Sequence, residues 1–155
     1  SVLFVQCSWN PVSSIRVMLL RLFGARIGKN VTIKPGVHVK YPWFLQVGNS
    51  VWIGEKVWID NLTQVTIGDH VCLSQGAFLL TGNHDYTRST FDLMVKPIEL
   101  REGVWVGAKS IVCPGVICQS HAVLTAGSVA RNELPSYTIN SGNPALPIKE
   151  RVIKS

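Results

Sequence analysis

A parallel β-helix of about five coils, an all-β fold, is the class this sequence predicts, and three observations carry it. Six-residue blocks run through the chain. From Leu100 they read LREGVW, VGAKSI, VCPGVI, CQSHAV and LTAGSV, each opened by an aliphatic residue or Cys. The fifth place holds a small or β-branched residue: Val104, Ser110, Val116, Ala122 and Ser128. A period of six is neither the 3.6 of a helix nor plain strand alternation, and it reads as one short strand plus a corner per block. Composition agrees, since 20 Val and 12 Ile favour strands over helices. Finally, 13 Gly and 8 Pro punctuate those strands often enough to turn them.

Taken in order, the chain divides into an N-terminal segment (1–26), the repeats (27–134) and a tail (135–155), all within one domain. Ser13 to Gly24 reads as a short amphipathic helix, capped by Ser13 or Ser14 and ended by Gly24. The repeat phase then opens at Ile27, Val47 and Ile67, so the first two turns each take 20 residues. Ile67 to Leu100 spans 33, which places an insertion of about 15 residues in the third turn, near 84–97. Glycine at the second place of many blocks, as in Gly54 and Gly107, is expected to ease tight corners. Leu134-Pro135-Ser136-Tyr137 breaks the repeat, and Pro147 to Ser155 reads as a short basic helix.

Several classes fall away. Charged residues are 15% and hydrophobic ones 46%, which excludes a mainly disordered chain. No apolar run is long enough to span a bilayer. Ser1 to Val5 lacks a basic n-region and a small-residue cleavage site, so no signal peptide is expected; the start without Met reads as trimmed. Cys7, Cys72, Cys113 and Cys118 show neither CxxC nor zinc spacing, which leads to the expectation of reduced thiols, a cytoplasmic protein and no metal. The net charge of +6 comes with no nucleic-acid-binding motif, so no nucleic-acid partner is expected. The apolar N-terminal segment with Arg16, Arg21 and Arg26 suits either peripheral contact with an anionic inner membrane or capping of the open end of the β-helix.

Four histidines are candidates for proton transfer. His70 and His121 occupy the fourth place of their blocks, a corner, and His38 ends the block IKPGVH. His84 differs, because it stands where the repeat stops and the insertion starts. A loop on a rigid scaffold is the usual seat of function, yet the residues alone leave His84 between a catalytic and a loop role.

The blocks, the stretch Thr81-Gly82-Asn83-His84-Asp85-Tyr86 and the closing GNPALPI (Gly142 to Ile148) together resemble the hexapeptide-repeat acetyltransferases. Within these the chain is most similar to the colanic-acid-type O-acetyltransferases of bacterial polysaccharide clusters, over about residues 14–149. The resemblance implies a left-handed coil, a homotrimer with sites between subunits, acetyl-CoA as co-substrate and a small-molecule or lipid-linked sugar as acceptor. It implies His84 as general base, activating a hydroxyl that is a weak nucleophile by itself. Asn61 is carried as an acceptor contact with Asp60 as its substitute, and Asp85 and Tyr86 as further contacts. Val104-Trp105-Val106-Gly107-Ala108 matches the stretch along which coenzyme A lies, so Trp105, Gly107 and Ala108 are its expected contacts. Ala126 one coil later and Arg131 near the phosphates complete the set, with Ala130 standing where Thr is frequent. Two other readings stay open. One is a non-catalytic β-helix scaffold. The other is a zinc hydratase of the γ-carbonic-anhydrase kind, against which stands the absence of any His-x4-His pair.

Overall fold

The residue that heads each six-residue block points inward, and stacking those residues builds the molecule. The computed structural model describes residues 11–154, so Ser1 to Val5 and Cys7 lie outside the described residues. Short strands wind into a parallel β-solenoid with three sheet faces. The first face stacks Arg26–Ile27, Leu45–Val47, Val65–Ile67, Ile98–Leu100 and Ile117–Cys118. Its register pairs Ile27 with Val47, Val47 with Ile67, Ile67 with Leu100 and Leu100 with Cys118, the spacing expected from the repeats. The second face runs from Thr32–Ile33 through Trp52–Ile53, Cys72–Leu73, Trp105–Val106 and Val123–Leu124. The third runs from His38–Val39 through Trp58–Asp60, Phe78–Leu80 and Ile111–Val112 to Val129–Ala130.

Three ladders of buried side chains fill the interior, for example Ile33, Ile53, Leu73, Val106 and Leu124 behind the second face. Each fully buried Ile or Leu contributes roughly 1.5–3 kcal/mol, and no coil could bury its own edge without the next. A sixth turn follows the five complete ones. It begins with Leu134, bridged to Cys118, and continues as the strand Thr138–Gly142. The solenoid thus has about six turns, one more than the repeats alone count, because the last is built where the six-residue phase is lost.

Glycine acts differently from expectation. At Gly54 and Gly107 the backbone φ is ordinary, and the corner conformation with positive φ falls instead on fourth-place residues such as His70 (+57°) and His121 (+60°). A Cβ on Gly54 would stand 2.7 Å from the Gln75 nitrogen and 2.9 Å from the Leu73 oxygen. These glycines therefore let neighbouring coils approach.

The ends also differ from the sequence reading. The helix starts at Pro11 and runs to Leu22. Proline suits a first helical position, where its missing N–H has no partner anyway. Ser13 does not cap it; its Oγ accepts from the Ile33 N–H at 2.8 Å, tying the helix to the first coil. Gly24, at φ +95°, closes the helix as expected. The Gly24 N–H donates to the Arg21 carbonyl and the Ala25 N–H to the Leu20 carbonyl, the paired bonds of a glycine C-cap. The basic helix expected from Pro147 is instead a strand, Ala145–Glu150, antiparallel to Thr138–Gly142. A register shift between Ile139 and Asn140 accommodates Pro147, which has no N–H to give the ladder. Arg151 pins the end by donating to the Gly103 and His121 carbonyls.

Burial also sets thiol behaviour. The Cys118 thiol is pushed up to about 12 by burial, and those of half-buried Cys72 and Cys113 are raised less, again by burial first. A thiol reagent at neutral pH is expected to spare Cys118 in the folded protein and to modify it in denaturant, which mass mapping would read. Labelling of native Cys118 as fast as Cys72 would contradict the buried ladder.

Candidate active site

The insertion is a β-hairpin. Gly82–His84 pairs antiparallel with Leu93–Val95, setting Gly82 opposite Val95 and His84 opposite Leu93. It leaves the corner after Phe78–Leu80, and the Lys96 N–H donating to the Thr81 carbonyl closes its root. His84 is exposed at the far end of the first strand. Its ring stacks on Phe91, with centroids 4.4 Å apart and planes 7° from parallel. Nδ1 lies 2.9 Å from the Phe91 carbonyl oxygen. A carbonyl only accepts, so Nδ1 carries the proton and Nε2 presents a lone pair to the outside. The arrangement fixes both the tautomer and the aim of a proton acceptor.

Asp85 does not orient this ring. Its Oδ1 accepts from the Thr87 N–H at 3.0 Å and the Thr87 hydroxyl at 2.5 Å, and Oδ2 lies 3.3 Å from Arg88 Nε. Arg88 reaches Asp92 as well, so these charges hold the hairpin turn. Tyr86, 83% exposed, is free to meet a ligand. Asn61 is placed otherwise than an acceptor contact requires. It is fully buried, its Oδ1 accepts from the Lys40 and Tyr41 N–H groups, and its Nδ2 donates to the Tyr41 carbonyl. Its side chain clamps one coil to the next and faces no solvent. Asp60 sits one coil below the hairpin root, opposite Leu80, and pairs with Lys40 at 3.2 Å.

A cavity of about 370 Å³ opens at a different corner, between the second and third faces. Trp105, Gly107, Ala108 and Ala126, four of the five residues expected to bind coenzyme A, line it together. The Trp105 indole N–H donates to Ser74 Oγ at 2.9 Å, which holds the ring as one wall. Arg131 is not in the lining; it follows Val129–Ala130 on the third face, where its charge reaches the Cys113 thiol. Ser74, Gln75 and Thr125 line the cavity without having been singled out in the sequence. The signal was present in the repeat. Ser74-Gln75, Gly107-Ala108 and Thr125-Ala126 each follow the inward residue of one face in three successive coils. Apart from Gln75 these are small or short residues, and they leave an open track along the solenoid.

Within one chain, the His84 hairpin and this track therefore occupy different corners. Among the described residues, no three His, Cys, Asp or Glu side chains gather as a metal-binding group.

No protein-family model matches the chain. Over 147 residues it is 41% identical to the "Putative colanic acid biosynthesis acetyltransferase WcaF" of Escherichia coli (strain K12), a match covering 94% of this chain and 81% of that protein. It is 28% identical over 138 residues to the galactoside O-acetyltransferase of the same organism, covering 87% and 68%. Among solved structures, a hexapeptide-repeat-containing acetyltransferase from Vibrio cholerae O1 biovar eltor, complexed with acetyl coenzyme A, superimposes with a TM-score of 0.83. That match has 26% identity and covers 90% of this chain and 78% of that one.

Proposed function

The chain belongs to the hexapeptide-repeat acetyltransferases, and from that premise we propose that it acetylates a hydroxyl of a sugar or lipid-linked saccharide in surface-polysaccharide synthesis. Acetyltransferase activity with acetyl-CoA as donor goes with the family. The acceptor class and the roles given to individual residues are our reading. His84 carries it: the Nδ1–H is spent on the Phe91 carbonyl, which leaves Nε2 as the one ring atom able to take a proton.

In this mechanism Nε2 removes the hydroxyl proton while the acceptor oxygen attacks the thioester carbonyl. The C–S bond breaks, and the imidazolium returns its proton to the departing sulfur. No covalent enzyme intermediate is needed if both substrates are bound together. Gly107, Ala108 and Ala126, whose side chains are no larger than methyl, offer a track on which the pantetheine arm can lie against backbone, with the Trp105 ring as its wall. Tyr86 and Asp85 stand beside His84 as candidate acceptor contacts; Asn61 is withdrawn from that set because it is buried.

A homotrimer is part of the proposal. The base and the track lie at different corners, and the hairpin leaves Tyr86, Phe91, Leu93 and Met94 exposed. Docking that hairpin against the track of a second copy would both cover apolar surface and bring the two halves together. A cytoplasmic reaction is part of the same proposal, supported by the use of acetyl-CoA as donor.

Calorimetric titration with acetyl-CoA, with coenzyme A alongside, tests the track. Micromolar binding is expected, and absence of binding at millimolar ligand would overturn it. Ala126→Phe puts a ring into the track at an exposed position. It is expected to weaken coenzyme A binding about tenfold or more, about 1.4 kcal/mol, without lowering the melting temperature. Unchanged affinity would move the donor site elsewhere.

A further inference from the structure

Charge in this chain is divided sharply along its length. Residues 1–54 hold six Lys and Arg (Arg16, Arg21, Arg26, Lys29, Lys34 and Lys40) and no Asp or Glu. The remaining residues hold nine basic (15 − 6) and nine acidic (9 − 0) side chains. The whole net charge of +6 therefore belongs to the N-terminal end of the solenoid.

That same end is apolar in a particular way. The helix Pro11–Leu22 caps the first coil with one face only. Val17 is buried there, Leu20 packs on the core, and Arg16 donates to the Ile33 carbonyl. The other face presents Ile15, Met18, Leu19 and Leu22 to solvent, a stripe at i, i+3, i+4 and i+7 with exposures from 44% to 76%. Phe23, Trp43 and Phe44 extend it. Continuity is shown at Gly24, where a Cβ would come 3.1 Å from Trp43 Cβ, so the aromatic corner abuts the helix end. Tyr41 stacks on Trp43, with ring centroids 5.1 Å apart. Arg21 stands at the edge, donating to the Ile27 and Gly28 carbonyls, and Arg26 and Lys29 are exposed nearby.

We propose that this end of the solenoid is a docking face for an anionic phospholipid surface. An apolar helix stripe flanked by indole and phenyl rings and edged with cations is the chemistry of an interfacial anchor. Charge decides between occupants. Lys40 is paired with Asp60, so a second copy placed face to face would set five positive charges against five, whereas anionic headgroups attract each cation by about 1 kcal/mol near the surface. Capping and docking are compatible, because they use opposite faces of one helix. No described helix is long and apolar enough to cross a membrane. The proposal is independent of the acceptor assigned above.

Co-sedimentation with sucrose-loaded vesicles tests it. The protein is expected to pellet with vesicles of equal phosphatidylcholine and phosphatidylglycerol, and not with phosphatidylcholine alone. The double variant Leu22→Asp, Phe23→Asp is expected to abolish pelleting with the melting temperature retained, since both side chains are exposed. Arg26→Glu with Lys29→Glu leaves the apolar stripe intact and should weaken binding about tenfold or more at low salt. Failure of the wild type to pellet, equal pelleting with neutral vesicles, or full binding by both double variants would overturn the proposal. So would sedimentation equilibrium showing that Leu22→Asp, Phe23→Asp lowers the number of subunits, because the face would then be a contact between copies.

Discussion

His84→Ala is expected to lower turnover about 10²–10⁴-fold while the affinity for coenzyme A stays that of the wild type. The first half follows from the geometry of the ring. Its Nδ1 is committed to the Phe91 carbonyl, so in the proposed mechanism Nε2 takes the proton, and alanine removes it entirely. The second half follows from the lining of the track, which is made by residues such as Trp105, Gly107, Ala108 and Ala126 and does not include His84. Steady-state kinetics with an acetylatable sugar, beside calorimetry with coenzyme A, would read both. Turnover near the wild-type value would remove His84 from the mechanism. Loss of coenzyme A binding in parallel would mean that the substitution had disturbed an assembly instead of a proton transfer.

The largest stability effect is expected where coils touch through a missing side chain. Gly54→Ala places a methyl 2.7 Å from the Gln75 nitrogen and 2.9 Å from the Leu73 oxygen, both backbone atoms of the next coil. Neither can swing aside as a flexible side chain would. The coils must part there, and a cost of about 3 kcal/mol is expected. Gly127→Ala is the control. Its Cβ meets nothing within 4 Å, and the cost comes from φ +70° alone, about 1 kcal/mol. Urea unfolding of both variants would measure the difference. Equal destabilisation would mean that conformation, and not approach of the coils, is what glycine supplies at Gly54.

Why some of this was legible in the sequence has a physical basis. A solenoid repeats one environment, so the inward residues Ile53, Leu73, Val106 and Leu124 announce themselves by period, and the register on the first face follows from it. The hairpin showed as a gap between Ile67 and Leu100, whereas Trp105, Gly107, Ala108 and Ala126 were legible through the family resemblance of their stretch and Ser74, Gln75 and Thr125 were not singled out. What was lost depends on partners distant in sequence. Pro147 to Ser155 has basic residues (Lys149, Arg151 and Lys154) spaced closely enough to suggest a helix, but Thr138–Gly142 offers a strand edge and Ala145–Glu150 takes it. The family resemblance put Asn61 against the acceptor. Only the coil beneath, with the Tyr41 backbone in reach, shows that its bonds are already made. The second-place glycines were noticed for the wrong reason, since closeness between coils cannot be read from one block.

The register beneath the hairpin has one more consequence. Val65 to Ile67 stacks directly on Ile98 to Leu100, although the chain between them detours through the whole hairpin. The ladder is continuous there and does not record how long the excursion was. Closing a longer excursion costs only about 0.6 kcal/mol per doubling of its length. The part that carries His84 is thus an exchangeable cassette on a fixed rod: its length and composition can drift toward a new acceptor while the layers above and below keep their pairing.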